Sequence, residues 1–188
     1  MAPSDSNPSD LNQGAPSQAD LEALVTESLN PNEYALLIAP VLEIVTEVAA
    51  KRGDPTCYND MSAMLALFTV VTGLCRCYEE EWGQLGNASS SEVLNSAPLG
   101  ACIMVFTQAE LPAEAIQDML RGLSGAWRHL VKEGVIGGEF PIIQQAWRKL
   151  VEQDSTTAKI HLRDAVMAVV ASVDEWESQQ NYKEITLN

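Results

Sequence analysis

Basic residues and histidine are scarce in this chain. Its 188 residues include 11 Lys and Arg, 26 Asp and Glu and 2 His, so the formal net charge is −15. Such acidity disfavours broad contact with nucleic acid or anionic membranes, because both carry negative charge. Neither His129 nor His161 follows a Glu at a spacing of three. The Glu-x-x-His motif of di-iron helical bundles is therefore excluded.

Sequence motifs of catalysis are absent as well. The chain has no Gly-rich phosphate loop, no G-x-S-x-G and no H-E-x-x-H. Its four cysteines, Cys57, Cys75, Cys77 and Cys102, lack zinc or redox spacing. Cys75 and Cys77 would diverge by about 200° on a helix, so they cannot chelate one metal together. We expect reduced thiols buried as small hydrophobic groups, with no cofactor and no metal.

Long apolar runs are also missing. Two charge-free segments, 61–75 and 93–109, fall short of the ~20 apolar residues that a membrane span needs. We interpret both as helices at the centre of a helical bundle. Residues 1–18 are polar and lack the apolar core of a secretory signal. We therefore expect a cytoplasmic, intracellular protein that does not enter a membrane.

What the chain does have is helical periodicity. Apolar residues recur at spacings of three and four from residue 34 onwards, and no run alternates with period two. The pattern predicts an all-α, single-domain bundle of six or seven helices over 17–178. Residues 1–16, rich in Pro and Ser, are expected to form a disordered tail, and 179–188 a loose C-terminal end.

Boundary residues mark the expected helices. A short helix over 17–28 precedes a long one that starts at Pro31, bends at Pro40 and ends at Gly53. Further helices are expected over 55–82, over 90–108 with a break or kink at Pro98 and Gly100, and after Pro112. Asp154 or Ser155 caps the last one, 156–178; Ser17 with Asp20, and Ser89 with Glu92, suggest capping pairs.

One hexapeptide occurs almost twice. Ala126-Trp127-Arg128-His129-Leu130-Val131 returns twenty residues later as Ala146-Trp147-Arg148-Lys149-Leu150-Val151. We call these the twin elements. In each, Trp shares a stripe with Leu and Val, which predicts two similar helices packed as an antiparallel pair. The alternative places Trp and Arg at an interface, where both are frequent hot spots.

The segment that contains the twin elements also carries a net positive charge. Residues 121–163 hold seven bases and four acids, a net +3 within an acidic chain. The residues expected to contact a partner are Arg128, His129, Lys132, Arg148 and Lys149, with Trp127 and Trp147.

Two acidic clusters stand out. Glu110, Glu114 and Asp118 line one helix face at spacings of four, either as a cation site or as a solvated helix start that the helix dipole favours. The run 79–81, three consecutive Glu, lies near a helix end, which the dipole disfavours. We hypothesise a basic partner for it on the Arg128 and Lys149 face, in the same fold or in another copy.

Three classes of function follow. We expect a non-enzymatic helical protein-interaction or regulatory protein, such as an adaptor or a virus- or phage-encoded host-interaction protein, with self-association as one mode of interaction. One alternative is a nucleic-acid-associated coat or nucleoprotein-like subunit that uses the basic 121–163 face. The other is a metal-dependent helical hydrolase with acids from separate helices.

Overall fold

The computed structural model describes residues 34–82 and 89–186, with side chains from 34–81 and 97–183. Within these ranges the chain is an all-α bundle of six helices without a strand, which confirms the predicted fold class. A single π-helical turn, Tyr34–Ile38, leads into the first of them. The helices are α1 Ala39–Lys51, α2 Met61–Trp82, α3 Ser89–Gln108, α4 Ala113–Lys132, α5 Phe140–Val151 and α6 Ser155–Thr186.

Helix α2 is the centre of the bundle. It packs against α1, α3, α4, α5 and α6, whereas α3 packs chiefly along one side of α2 and more lightly on α4. In the described part of the chain, Met61–Glu81 is the one helical stretch long and apolar enough to span a membrane, whereas its charge-free segment 61–75 was expected to be too short for this. Most of it is buried within the bundle. An all-round apolar helix is expected at this place, because every side of it meets another helix.

The loop before α2 differs from the prediction. We expected the helix to start near residue 55, but it starts at Met61. Asp54 holds the preceding loop instead: its carboxylate accepts from Thr56 N and Oγ1 and from the backbone of Asn59 and Asp60. Asp60 then accepts from Ala63 N at 3.1 Å and caps α2. The hydrogen bonds of Asp54 to the loop outcompete a helix in this segment.

Two prolines that the sequence analysis singled out lie inside helical segments. Pro40 lies in the first turn of α1, directly after the π-helical turn Tyr34–Ile38, so the helical segment changes from π to α geometry at this proline. Pro98 lies inside α3, which continues through it, so the predicted break is wrong, whereas the alternative of a kink stays a prediction. Ala97 and Ala101 on either side are fully buried.

Other boundary predictions are confirmed. Gly53, with φ +101°, follows α1 as expected of a C-terminal glycine. Asp154 accepts from Thr157 N at 3.1 Å at the start of α6. That helix runs beyond residue 178 to Thr186, so the expected loose end is helical for most of its length. The predictions for the tail 1–16, the helix 17–28 and the Ser89–Glu92 cap lie outside the described backbone or side chains.

A three-helix clamp joins the ends of α1 and α2 to α6. Arg52 donates from both Nη atoms to Asp174, at 2.6 and 3.0 Å, and from Nε to Asp60 at 2.6 Å. Ser62 Oγ donates to Asp174 Oδ1 at 2.6 Å. The hydrogen bonds from Arg52, opposed by partial burial and aided by Ser62, hold the pKa of Asp174 below its ordinary value.

Candidate functional site

The twin elements do not pack on each other. Helices α4 and α5 make at most a minor mutual contact, and each packs on α2 instead. The prediction that these two helices pack on each other as an antiparallel pair is therefore wrong. Both tryptophans nevertheless point into the fold. Their indoles meet α2 at Thr69 and at Glu81. Thr69 and Glu81 are twelve residues apart on α2, which corresponds to about 18 Å along the helix, so the two elements contact α2 at different heights of the bundle.

Trp127 closes the gap between α4 and the first half of α2. Its ring centroid lies 5.0 Å from that of Phe68, in a tilted arrangement. Its Nε1 donates to Thr69 Oγ1 at 3.1 Å, and the Thr69 hydroxyl donates in turn to the Leu65 carbonyl at 2.7 Å. The indole N–H is thus satisfied within the chain, as expected for a partly buried tryptophan.

Trp147 is the more deeply placed of the two. Its residue is 4% exposed, and its ring stands edge-on to Tyr78 with centroids 6.1 Å apart. Its Nε1 donates to Glu81 Oε2 at 2.5 Å. A hydrogen bond to a charged acceptor is stronger than a neutral one, and here it fastens α5 to the end of α2. Both twin tryptophans therefore have packing roles.

The acidic run 79–81 meets this same indole. Glu80, Glu81, Trp147 and Arg148 border one cavity of about 240 Å³. Arg148 is thus the base of the twin elements that shares a cavity with this run, whereas the hypothesis named Arg128 and Lys149. In the described ranges, no Lys or Arg nitrogen lies within 4.0 Å of a carboxylate oxygen of this run. Lys149 pairs instead with Glu152 at 2.7 Å.

Most bases of the 121–163 window are already paired. Arg121 lies 3.0 Å from Asp118, Lys159 lies 2.6 Å from Glu43, and Arg163 pairs with Glu47. With Lys149, four of the seven bases hold a carboxylate. The window is therefore not one continuous basic face. The sequence alone could not reveal the pairs of Lys159 and Arg163, because their partners Glu43 and Glu47 lie on α1, over a hundred residues away along the chain.

The remaining bases include two neighbours at the end of α4. Arg128 and Lys132 are exposed and lie one turn apart, with Val131, 40% exposed, between them. Arg128 Nε donates to the Ser124 carbonyl at 3.2 Å. His129 stands edge-on to Trp176 of α6, with ring centroids 5.8 Å apart. We call Arg128, His129, Val131 and Lys132 the α4 cationic end.

Within the described ranges, no acid forms an ion pair with the two bases of this end, although Glu133 directly follows Lys132. Neither Arg128 nor Lys132 has a carboxylate oxygen within 4.0 Å there. The C-terminal dipole of α4 favours two cations at this position. Arg128 and Lys132 repel each other at a spacing of four residues, and an acidic ligand would relieve that repulsion.

The sequence prediction missed a groove between α1, α5 and α6. Its volume is about 590 Å³, and its walls are mainly apolar. The ion pairs of Lys159 with Glu43 and of Arg163 with Glu47 stand along it. Ile160 also lines it and is 56% exposed, although its place in the apolar pattern of the last helix predicts an inward position. Its other lining residues include Ala39, Pro40, Leu150 and Leu162.

Chemistry at cysteine or at a metal finds little support in the described ranges. All four cysteines are buried thiols. Burial raises the pKa of Cys57 and of Cys77 to about 11, and it raises that of Cys102 further. Such thiols stay protonated and are poor nucleophiles at neutral pH. Within the described residues, no three His, Cys, Asp or Glu side chains come together in a way that could hold a metal.

Comparison of the chain with protein-family models, with curated proteins and with solved structures gave no match.

Proposed function

We propose that this protein is a non-enzymatic, helical protein-interaction module. The observation that carries the proposal is the α4 cationic end, where Arg128 and Lys132 flank the exposed Val131 with no carboxylate within 4.0 Å in the described ranges. The partner that fits it is an acidic protein segment with one apolar side chain. The partner's carboxylates would pair with the two cations, and its apolar group would cover Val131.

The charge of the whole chain supports an acidic segment over a long polyanion. With a net charge of −15, the molecule repels an extended nucleic acid at most of its surface. A short acidic segment needs only the local field of the α4 cationic end. Four of the seven bases in the 121–163 window are engaged with acids of this chain, which leaves few for successive phosphates.

A labelled synthetic peptide tests this proposal. The probe is an acidic helical peptide with Glu at positions i and i+4 and a Leu between them, titrated by fluorescence anisotropy. We expect Arg128→Ser/Lys132→Ser to weaken its binding at least about tenfold, a loss of about 1.4 kcal/mol. Raising the salt from about 50 to about 200 mM should weaken binding to the wild-type protein as well.

The matched control is Arg121→Ser. Arg121 is exposed on the same helix, but it is paired with Asp118. Peptide affinity should therefore be unchanged in this variant. Equal affinity of the wild type and the Arg128→Ser/Lys132→Ser variant would refute the proposal. Tighter binding of a single-stranded RNA of equal charge would favour a nucleic-acid partner instead.

A further inference from the structure

The outer face of α6 carries a stripe of exposed residues. Ile160, Met167, Ala171 and Ser178 follow one another at spacings of seven, four and seven, so they lie on one side of the helix. Ile160 is 56% and Met167 is 47% exposed. We call these four residues the α6 stripe. Spacings of this kind are typical of helices that pack along another helix.

Nothing in the described part of this chain covers the α6 stripe. The opposite side of α6 is the buried one, where Leu162, Ala165 and Val169 are fully enclosed. Through that side α6 packs on α1, α2 and α5. At 32 residues, α6 is the longest helix of the described ranges, about 48 Å. The stripe is thus a long surface that the described residues leave uncovered.

Charges on one edge of the α6 stripe are ordered by sign. On this edge Lys159 and Arg163 lie in the first half of the helix, whereas Asp174 and Glu177 lie in its second half; Asp164 and Glu175 lie on the other edge. Lys159 and Glu177 are eighteen residues apart, five full turns, so they lie on the same edge of the stripe. In an antiparallel pair, this edge lies against the same edge of the second copy, so the bases of one copy lie beside the acids of the other. A parallel copy would place acid beside acid.

We propose that a second copy of this chain covers the α6 stripe, with the two α6 helices antiparallel. The two-fold axis passes between Met167 and Ala171, which sets Ile160 opposite Ser178 of the second copy. Lys159 then lies near Glu177 of the second copy. Lys159 already binds Glu43, at 2.6 Å, but an ammonium group has three N–H donors and can donate to a second carboxylate.

The expected dimer is weak. One pair of helices buries an area at the low end of specific interfaces, about 1,200 Å² in total. We expect a dissociation constant of about 10 μM, which corresponds to an association free energy of about −7 kcal/mol. The proposal concerns a different surface from the α4 cationic end and does not depend on it.

Light scattering after gel filtration, over a concentration series, measures the oligomer. The wild-type mass should rise towards that of a dimer as concentration increases, and Met167→Asp should remain monomeric throughout. Met167 is exposed, so this change leaves the core intact. Arg128→Ser/Lys132→Ser should dimerise like the wild type, and Met167→Asp should still bind the acidic peptide. Each proposal can therefore fail alone. A wild type that stays monomeric at about 200 μM would overturn the dimer.

Cysteine cross-linking tests the antiparallel arrangement. The four native thiols are buried and should not react with a brief oxidant such as copper phenanthroline. A mixture of the Ile160→Cys and Ser178→Cys proteins should form a disulfide-linked dimer. Neither protein alone should do so, because the antiparallel arrangement keeps like positions far apart. Efficient cross-linking of the Ile160→Cys protein with itself would indicate a parallel pair and overturn the proposal.

Discussion

At the scale of single residues, Gly73 decides how closely α5 approaches α2. A Cβ atom at this position would lie 2.7 Å from Ile143 Cδ1 and 3.0 Å from its Cγ2. Only a residue without a side chain lets Ile143 reach the α2 backbone. The contact helps to hold the second twin element, since Trp147 follows Ile143 by about one helical turn on α5.

Gly73→Ala should therefore destabilise the protein. Alanine is the better helix former by about 1 kcal/mol, but the clash with Ile143 forces the two helices apart. We expect a net loss of about 1–2 kcal/mol in the free energy of unfolding, measured by urea denaturation.

Gly125→Ala is the matched control for this change. Gly125 lies in α4, and an added Cβ would meet nothing within 4 Å. It should gain about 0.5–1 kcal/mol, because only helix propensity changes. Ile143→Val removes Cδ1, so it should partly rescue Gly73→Ala. If Gly73→Ala stabilised the protein as much as Gly125→Ala, the close approach of α5 and α2 would be refuted.

The sequence predicts some of this residue-level detail. The periodicity around Trp127 and Trp147 indicates correctly that both rings point into the fold. It cannot indicate that Thr69 and Glu81 accept hydrogen bonds from the two indole N–H groups. An apolar stripe defines which side of a helix is buried, but it does not define the neighbouring residues. Gly73 lies unmarked within an apolar run, since no turn or boundary surrounds it.

At the scale of elements, the clamp of Arg52, Asp60 and Asp174 joins three helices. The three groups are part-exposed, so solvent screens their attraction. The geometry is nevertheless favourable, because Arg52 binds Asp174 through two parallel hydrogen bonds.

Acid should weaken this clamp. The pKa of Asp174 is lowered in the folded protein, chiefly by the hydrogen bonds from Arg52. Its contribution is therefore complete above the ordinary Asp value, about 3.9, and declines as the pH falls through the lower folded value. At pH 7, Asp174→Asn should cost about 1 kcal/mol in urea melts, and the difference should shrink below about pH 4.

Asp164→Asn is the control for the acid experiment. Asp164 is exposed on the same helix and has no ion pair in the described ranges. We expect little effect at either pH. A cost of Asp174→Asn that stayed constant from pH 7 to pH 3 would contradict the ionic role of this carboxylate.

Element boundaries were predictable where one residue suffices to set them. Gly53 and Asp154 act through their own backbone or carboxylate, and both predictions are confirmed. The helix start after Asp54 and the break at Pro98 were predicted wrongly, because the outcome at each depends on competition between a local signal and its surroundings. The loop that Asp54 organises is an example, since its acceptor atoms serve four partners at once.

At the scale of the whole molecule, the candidate site divides into parts. The seven residues proposed from the twin elements do not form one surface: Trp147 is buried, Lys149 is paired, and Arg148 lies beside Glu80 and Glu81. Arg128, His129 and Lys132 remain together at the end of α4. The sequence could mark the basic window but not its internal pairing, because pairing depends on which helices become neighbours.

The central claim is that the twin tryptophans build the bundle while their flanks remain for partners. Urea unfolding of Trp127→Ala and Trp147→Ala, followed by circular dichroism, tests it most directly. We expect each variant to lose about 3–5 kcal/mol, with the larger loss for the more buried Trp147, because each change leaves a cavity against α2. If either variant unfolds like the wild type, that tryptophan does not hold α4 or α5 in place, and the claim is contradicted.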